Sequence, residues 1–264
     1  MSYHTFNPFA CREEANFDFI SNIELDQKLK LADRAYSNWS KLSFKDRAEI
    51  MNGMAVLLEK NRDHHAGIIT AEMGKPISQS SAEVEKCALV CRYYADNAEE
   101  LLAPMPMESS AAESYVRFDP LGTIFAVMPW NFPLWPVFRF AAPALVAGNT
   151  GVLKHASNVP QFALLIEDVF KQAGFPENVF RALMIRASQV IAVIEDERVH
   201  AVTLTGSEPA GRQVAATAGN CLKKSVLELG GSDAFIVLED ADLDLTVQGA
   251  VMSRFLNTGQ SCIA

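Results

Sequence analysis

The sequence has no excess of positive charge, no disulfide-like cysteine pattern, no uninterrupted apolar run and no complete phosphate-loop signature. Lysine and arginine number 23 against 32 aspartates and glutamates in 264 residues, a formal charge of −9. An acidic surface repels phosphate backbones and anionic lipid at long range, so neither nucleic acid nor a membrane is an expected partner. The five cysteines are odd in number and mostly isolated in a chain too long to need staples, which points to a reducing, cytoplasmic compartment. Cys87 and Cys91 are one helical turn apart but lack a second Cys/His pair, so no metal site is expected. The opening MSYHTFNPFACREEANF lacks the basic start and apolar stretch of a signal peptide. Gly122 to Leu153 is almost uncharged, but Pro129, Pro133, Pro136, Arg139 and Pro143 interrupt it. It reads as a buried strand, a proline-rich loop and a buried helix rather than a membrane span. No G-x-G-x-x-G occurs. Gly206 and Gly211 have the spacing of a Walker A loop, but Arg212-Gln213 stands where Lys-Ser/Thr is required.

Hydrophobic residues make up 49% of the chain and charged residues 21%, ample for a packed core. Residues 1–110 read as a helical segment, with apolar residues at helical spacing from Leu25 to Ala35 and from Val84 to Ala98. Residues 111–120 form a linker with an edge strand at Ser114 to Phe118. From residue 121 to 264, short apolar strands alternate with helices. Strands are expected at 122–127, 150–153, 179–184, 200–204, 225–229 and 234–238, and helices at 134–146, 161–172, 188–194, 209–218 and 245–255. Repeated strand–helix units of this kind build a mostly parallel, Rossmann-like α/β sheet with helices on both faces. Ligands in such folds bind outside the carboxyl ends of the strands, so the loops there carry the chemistry.

Five short segments stand in those loops. Gly206-Ser207 ends a strand and opens a helix with Pro209 in its first turn; free N–H groups and the helix dipole there favour a phosphate. An ordinary helix capped by Ser207 is the plainer reading. Lys154 ends another strand, ahead of Ser157, Asn158 and Pro160; alone it reads as a surface lysine and the polar pair as helix caps. Glu228, between two leucines and before Gly230-Gly231, reads as a part-buried carboxylate suited to base chemistry, or as an ion-paired structural group. Asn131, between Pro129-Trp130 and Phe132-Pro133, could aim its amide at an oxyanion or simply shape a turn. Cys262, after the turn Asn257-Thr-Gly-Gln-Ser, is either an exposed reactive thiol or a small buried one.

Together and in this order, PWNFP, TGS, LELGGSD and NTGQSC make the chain resemble the NAD(P)-dependent aldehyde dehydrogenases over nearly its whole length. KHASN, ITAEMGKPI and LELGGSDAFIVLEDADL look most like the succinate-semialdehyde dehydrogenase branch. The resemblance implies Cys262 as nucleophile, Asn131 as oxyanion donor and Glu228 as the base that activates water. It implies cofactor contacts at Trp130, Lys154, Ser157, Gly206, Ser207 and Leu229, with NADP or NAD as the cofactor. It further implies a small aldehyde substrate whose carboxylate meets Arg139, a homo-oligomer, and a catalytic domain following Cys262 outside this sequence. Two functions stay open: an aldehyde dehydrogenase, and a non-catalytic nucleotide-binding fragment of one. Serine at position 157, where the family tends to carry glutamate, leaves room for a 2′-phosphate near Lys154 and so favours NADP. The apolar residues Phe132, Leu134, Trp135 and Val137 are expected to be left uncovered.

Overall fold

The computed structural model describes residues 2–263. Its centre is a five-stranded parallel sheet made of β5 (Thr123–Val127), β6 (Thr150–Lys154), β7 (Phe180–Ala182), β8 (Val199–Gly206) and β9 (Lys224–Leu229), in the order β7-β6-β5-β8-β9. The chain steps outward from β5 through β6 to β7, then returns to the other side of β5 for β8 and β9. The order therefore reverses between β5 and β8, which opens a crevice above their carboxyl ends. β6 and β7 are wholly apolar or neutral up to Lys154 apart from Arg181, as strands covered on both faces must be.

One face is covered by α1 (Asn22–Trp39), α7 (Val190–Glu195) and α8 (Glu208–Asn220), which bury Leu25, Leu29, Val193, Ile194 and Val214 with the sheet residues Phe125, Val152 and Val202. The other is covered by α2 (Phe44–Lys60), α3 (Arg62–Met73), α4 (Ile77–Leu101), α5 (Trp135–Val146) and α6 (Pro160–Gln172), around Met51, Met54, Cys87, Cys91, Phe138, Phe162 and Phe170. The expected sheet class and the alternation from residue 121 hold through β9. The uncharged stretch 122–153 is indeed strand, loop and buried helix, with Pro143 inside α5. No described helix is long and apolar enough to cross a membrane.

Three expectations fail. Residues 2–18 are a hairpin, β1 (Ser2–Asn7) and β2 (Arg12–Asp18), rather than part of a helical segment. Its inward residues are Tyr3 and Thr5, an alternation of period two that short length hides among helices. The edge strand at 114–118 shrinks to β4 (Tyr115–Val116), which pairs only with β3 (Met105–Pro106) and stands apart from the main sheet. Residues 234–238 are not a strand. Phe235, Ile236 and Leu238 have strand propensity but are 56%, 80% and 68% exposed, and no described strand lies beside them. β-Propensity reflects packing on a sheet face, and there is none here. The last helix, α9 (Leu243–Phe255), buries none of its residues.

Candidate active site

Apart from Arg139, which lies within α5, the residues singled out from sequence lie in the loops at the carboxyl ends of the parallel strands or in the turn after α9. β5 leads into Pro129–Pro133, β6 ends at Lys154, β8 ends at Gly206 and β9 at Leu229. A cavity of about 310 Å³ is lined by Asn131, Arg139, Glu228 and Cys262, with Glu83, Trp135 and Asn257 among its walls. Three catalytic candidates and the expected substrate arginine are thus brought together from four separate segments. The backbone of the Cys262 turn also abuts the glycines after Glu228: a side chain added at Gly231 would stand 3.9 Å from the Cys262 carbonyl oxygen.

Asn131 donates through Nδ2 to the Gln260 carbonyl at 2.8 Å, leaving the second amide hydrogen for the cavity. The turn Asn257–Gly259 is strained. Asn257, Thr258 and Gly259 stand at φ 54°, 57° and 74°, three consecutive residues in the left-handed region. Cys262 itself is exposed rather than buried.

Glu228 departs from the part-buried expectation. Its side chain is about half exposed and lies 3.6 Å from the Arg139 guanidinium, whose other arm donates to Thr205 Oγ1 at 3.3 Å. β9 is the sheet edge, so its outward residue meets water and a cation rather than an apolar pocket. Of its two sequence readings, the ion-paired one describes the observed contact.

The nucleotide end differs too. Lys154 is not a surface residue: it is 8% exposed, Nζ donates to the His155 carbonyl at 3.0 Å, and it sits 5.9 Å from the Tyr3 ring centroid. Burial lowers its pKa, and no described carboxylate pairs with it. His155 is locked beside it, Nε2 2.7 Å from the Pro133 carbonyl, with burial lowering its pKa to about 4. Ser207 takes the N-cap position of α8, but its hydroxyl makes no capping bond. Ser157 and Asn158 do not cap α6 either; both are exposed. Trp130 is 37% exposed in the loop after β5. Leu229 packs so closely on α8 that a side chain on Gly211 would come within 2.5 Å of it, which explains that glycine. A buried lysine with no described carboxylate partner and an uncapped helix terminus, at the ends of the two strands that flank β5, fit an anionic dinucleotide.

Sequence reading missed two buried glutamates that hold these loops. Glu72 accepts from the Gln161 and Phe162 amides at 3.0 and 2.9 Å and from Thr5 Oγ1 at 2.8 Å, so it does the capping of α6. Glu83 accepts from the Leu134 and Trp135 amides, each at 2.8 Å, and does the same for α5. The available signal was a glutamate on the apolar side of each helix, next to Ile69 and Met73 and next to Val84 and Cys87.

The reversal of strand order and the polar loops above it define a doubly wound α/β protein of the Rossmann kind, built to hold a ligand at its switch point. More narrowly, the chain belongs to the aldehyde dehydrogenase family, whose model matches residues 1–264. A protein of Synechocystis sp. described as a probable succinate-semialdehyde dehydrogenase (NADP(+)) is 52% identical over 264 residues, all of this chain and 58% of that protein. Succinate-semialdehyde dehydrogenase (NADP(+)) 1 of Mycobacterium tuberculosis is 50% identical over 267 residues, again covering all of this chain and 58% of the relative. Among solved structures, succinic semialdehyde dehydrogenase from Streptococcus pyogenes, in complex with NADP+, superposes with a TM-score of 0.95 at 39% identity, over 98% of this chain and 57% of that one. The chain therefore spans somewhat more than half the length of the relatives it matches.

Proposed function

We propose that this chain is the cofactor-binding and nucleophile-bearing part of an NADP-dependent aldehyde dehydrogenase that oxidises succinate semialdehyde to succinate. The observation that carries the reading is the convergence of Asn131, Arg139, Glu228 and Cys262 on one cavity beside the nucleotide-type crevice. The relatives, named as succinate-semialdehyde dehydrogenases of NADP(+) type, support the substrate and cofactor.

Each residue is assigned the chemistry that its position in the cavity would support. Arg139 pairs with the substrate carboxylate and so fixes the distance of the aldehyde from the thiol. The Cys262 thiolate adds to the carbonyl carbon, and the electron pair moves to oxygen. The free Asn131 amide hydrogen and the Cys262 N–H hold that oxyanion. When bound, the dinucleotide would supply the hydride acceptor, and the acyl group would then remain on the Cys262 sulfur as a thioester. Glu228 takes a proton from water, which attacks the thioester and releases the acid and the thiolate. The dinucleotide would be held by Lys154, Ser157, Gly206 and Ser207, with Trp130 and Leu229 as apolar walls.

A second reading, a nucleotide-binding fragment without turnover, is favoured by one observation: α9 and residues 234–238 bury nothing, so the thiol side of the cavity is open to water. NADPH formation from succinate semialdehyde separates the two. The chain joined to the remaining length of its relatives is expected to turn over, with activity abolished in Cys262→Ser and lowered roughly 10²-fold or more in Asn131→Ala. The 264-residue chain alone is expected to show negligible turnover, since α9 and residues 234–238 bury nothing and water reaches the thiol side of the cavity. Undiminished activity in Cys262→Ser contradicts the proposed mechanism.

A further inference from the structure

Lys75 and Glu83 form a buried ion pair in a place where the fold alone does not require one. Lys75 lies in the short connection between α3 and α4, after Gly74 in the left-handed conformation at φ 85°, and its side chain is fully buried. Glu83 is on α4, with a side chain 2% exposed. Taking two charges out of water gains little stability over an apolar pair of the same size, so the pair calls for another role.

That role is visible in what the two side chains hold. One Glu83 oxygen pairs with Lys75 Nζ, while the other accepts the Leu134 and Trp135 amides at the start of α5. Nζ also donates to Asn257 Oδ1 at 2.9 Å, and the Phe132 ring centroid lies 4.5 Å away. Asn257 is 1% exposed, and its Nδ2 donates to the Asn131 carbonyl at 2.7 Å and to the Gln260 carbonyl at 3.1 Å. The Gln260 carbonyl is the group that also receives Asn131 Nδ2. One ammonium thus ties the Asn131 loop, the first turn of α5 and the turn carrying Cys262 into a single network. The left-handed run Asn257–Gly259 is a backbone state that persists only where surrounding contacts over-determine it, and this network supplies them.

We propose that Lys75, Glu83 and Asn257 are positioning residues that set the Cys262 thiol and its backbone N–H against the Asn131 amide, so that both oxyanion donors point at one atom. The inference rests on Cys262 being the nucleophile and Asn131 an oxyanion donor. Two reagents isolate it in the chain as it stands. p-Nitrophenyl acetate acylates a thiolate through a tetrahedral oxyanion: the S–C bond forms, the C–O bond breaks, and p-nitrophenolate leaves with the electron pair. Iodoacetamide alkylates the same thiolate by displacement of iodide, with no oxyanion. The ratio of the two rates at one cysteine therefore cancels thiolate fraction and exposure and reads oxyanion stabilisation alone. Peptide-resolved mass spectrometry gives that ratio for Cys262 and for Cys11, an exposed thiol in the hairpin turn.

In the unaltered chain the ratio at Cys262 is expected to exceed that at Cys11. Asn257→Gly keeps a residue suited to the left-handed backbone and removes only the amide. It is expected to lower the Cys262 ratio by about tenfold or more while Cys11 is unchanged. Lys75→Gln, which loses the charge, is expected to lower it in the same direction and serves where the first variant folds poorly. A purely structural role would shift the melting midpoint and leave the ratio alone. A high ratio in the unaltered chain that both variants retain overturns the positioning role. A ratio in the unaltered chain no higher than that at Cys11 overturns instead the oxyanion reading on which the proposal depends.

Discussion

A buried lysine without a carboxylate beside it is costly unless a ligand brings the charge. Lys154 is such a residue, and Ser157 lies exposed three positions on in the same loop. Replacing that neutral serine by an acid places a negative charge where a 2′-phosphate would meet the lysine. Ser157→Glu is expected to weaken NADP binding by about tenfold or more while leaving NAD within a few-fold, read by fluorescence titration of both; parallel loss of the two cofactors contradicts this. Histidines make the second prediction at this scale. Burial lowers both His65 and His155 to about 4, while the unfolded chain takes up protons near 6.5. Stability is thus full above the unfolded value and falls as the pH drops towards 4. The gap corresponds to roughly 3 kcal/mol per histidine. Glu72, whose pKa burial raises, has the opposite sign and offsets part of the loss. Unfolding free energies from urea titrations at pH 7 and pH 5 should differ by about 2 kcal/mol per histidine before that offset, with the lower pH less stable; equal values would show that these histidines do not titrate as buried groups.

At the scale of elements, the strands and helices between β5 and β9 were legible because their apolar patterns agree with their burial. Thr123–Val127 and Thr150–Lys154 are continuous neutral runs in a covered sheet, and Pro160 opens α6 where a proline is tolerated. The hairpin at 2–18 was not legible, because two inward residues are too few to establish a period. The segment 234–238 was misread for the reverse reason: the pattern exists, but no strand pairs with it. Capping of α5 and α6 escaped sequence reading because the caps come from glutamates roughly 50 and 90 residues away, and local capping rules see only neighbours. Glu72→Ala should therefore destabilise the chain by about 2–4 kcal/mol, since two α6 amides and the Thr5 hydroxyl lose their acceptor together. A change under about 0.5 kcal/mol in denaturant unfolding would mean water replaces the carboxylate without cost.

For the whole molecule, the four catalytic and substrate candidates could be named from motif wording, but their meeting in one cavity could not. Sequence spacing between Asn131 and Cys262 carries no geometry, and the network through Lys75 that joins them left no local pattern. The expected uncovered face was also misplaced. Leu134 and Val137 are buried, while Ile236, Leu238, Leu243, Leu245, Met252 and Phe255 are all more than 60% exposed. An apolar patch of this kind is uncommon in a stable monomer. Covering about 800 Å² of it at ~25 cal/mol per Å² favours association by a gross ~20 kcal/mol, and association costs remove only part of that. Light scattering after size exclusion should give a dimer at micromolar concentration; a mass near 29 kDa would show that the patch is tolerated.

The central claim is that the crevice above β5, β6 and β8 is a dinucleotide site that accepts the 2′-phosphate. Trp130 stands in the β5 loop beside it, so titration of the chain's intrinsic tryptophan fluorescence with NADP+ and with NAD+ reads the claim directly. The account predicts a saturable change with NADP+ bound at least as tightly as NAD+. Absence of saturation, or NAD+ bound about tenfold more tightly than NADP+, would contradict it.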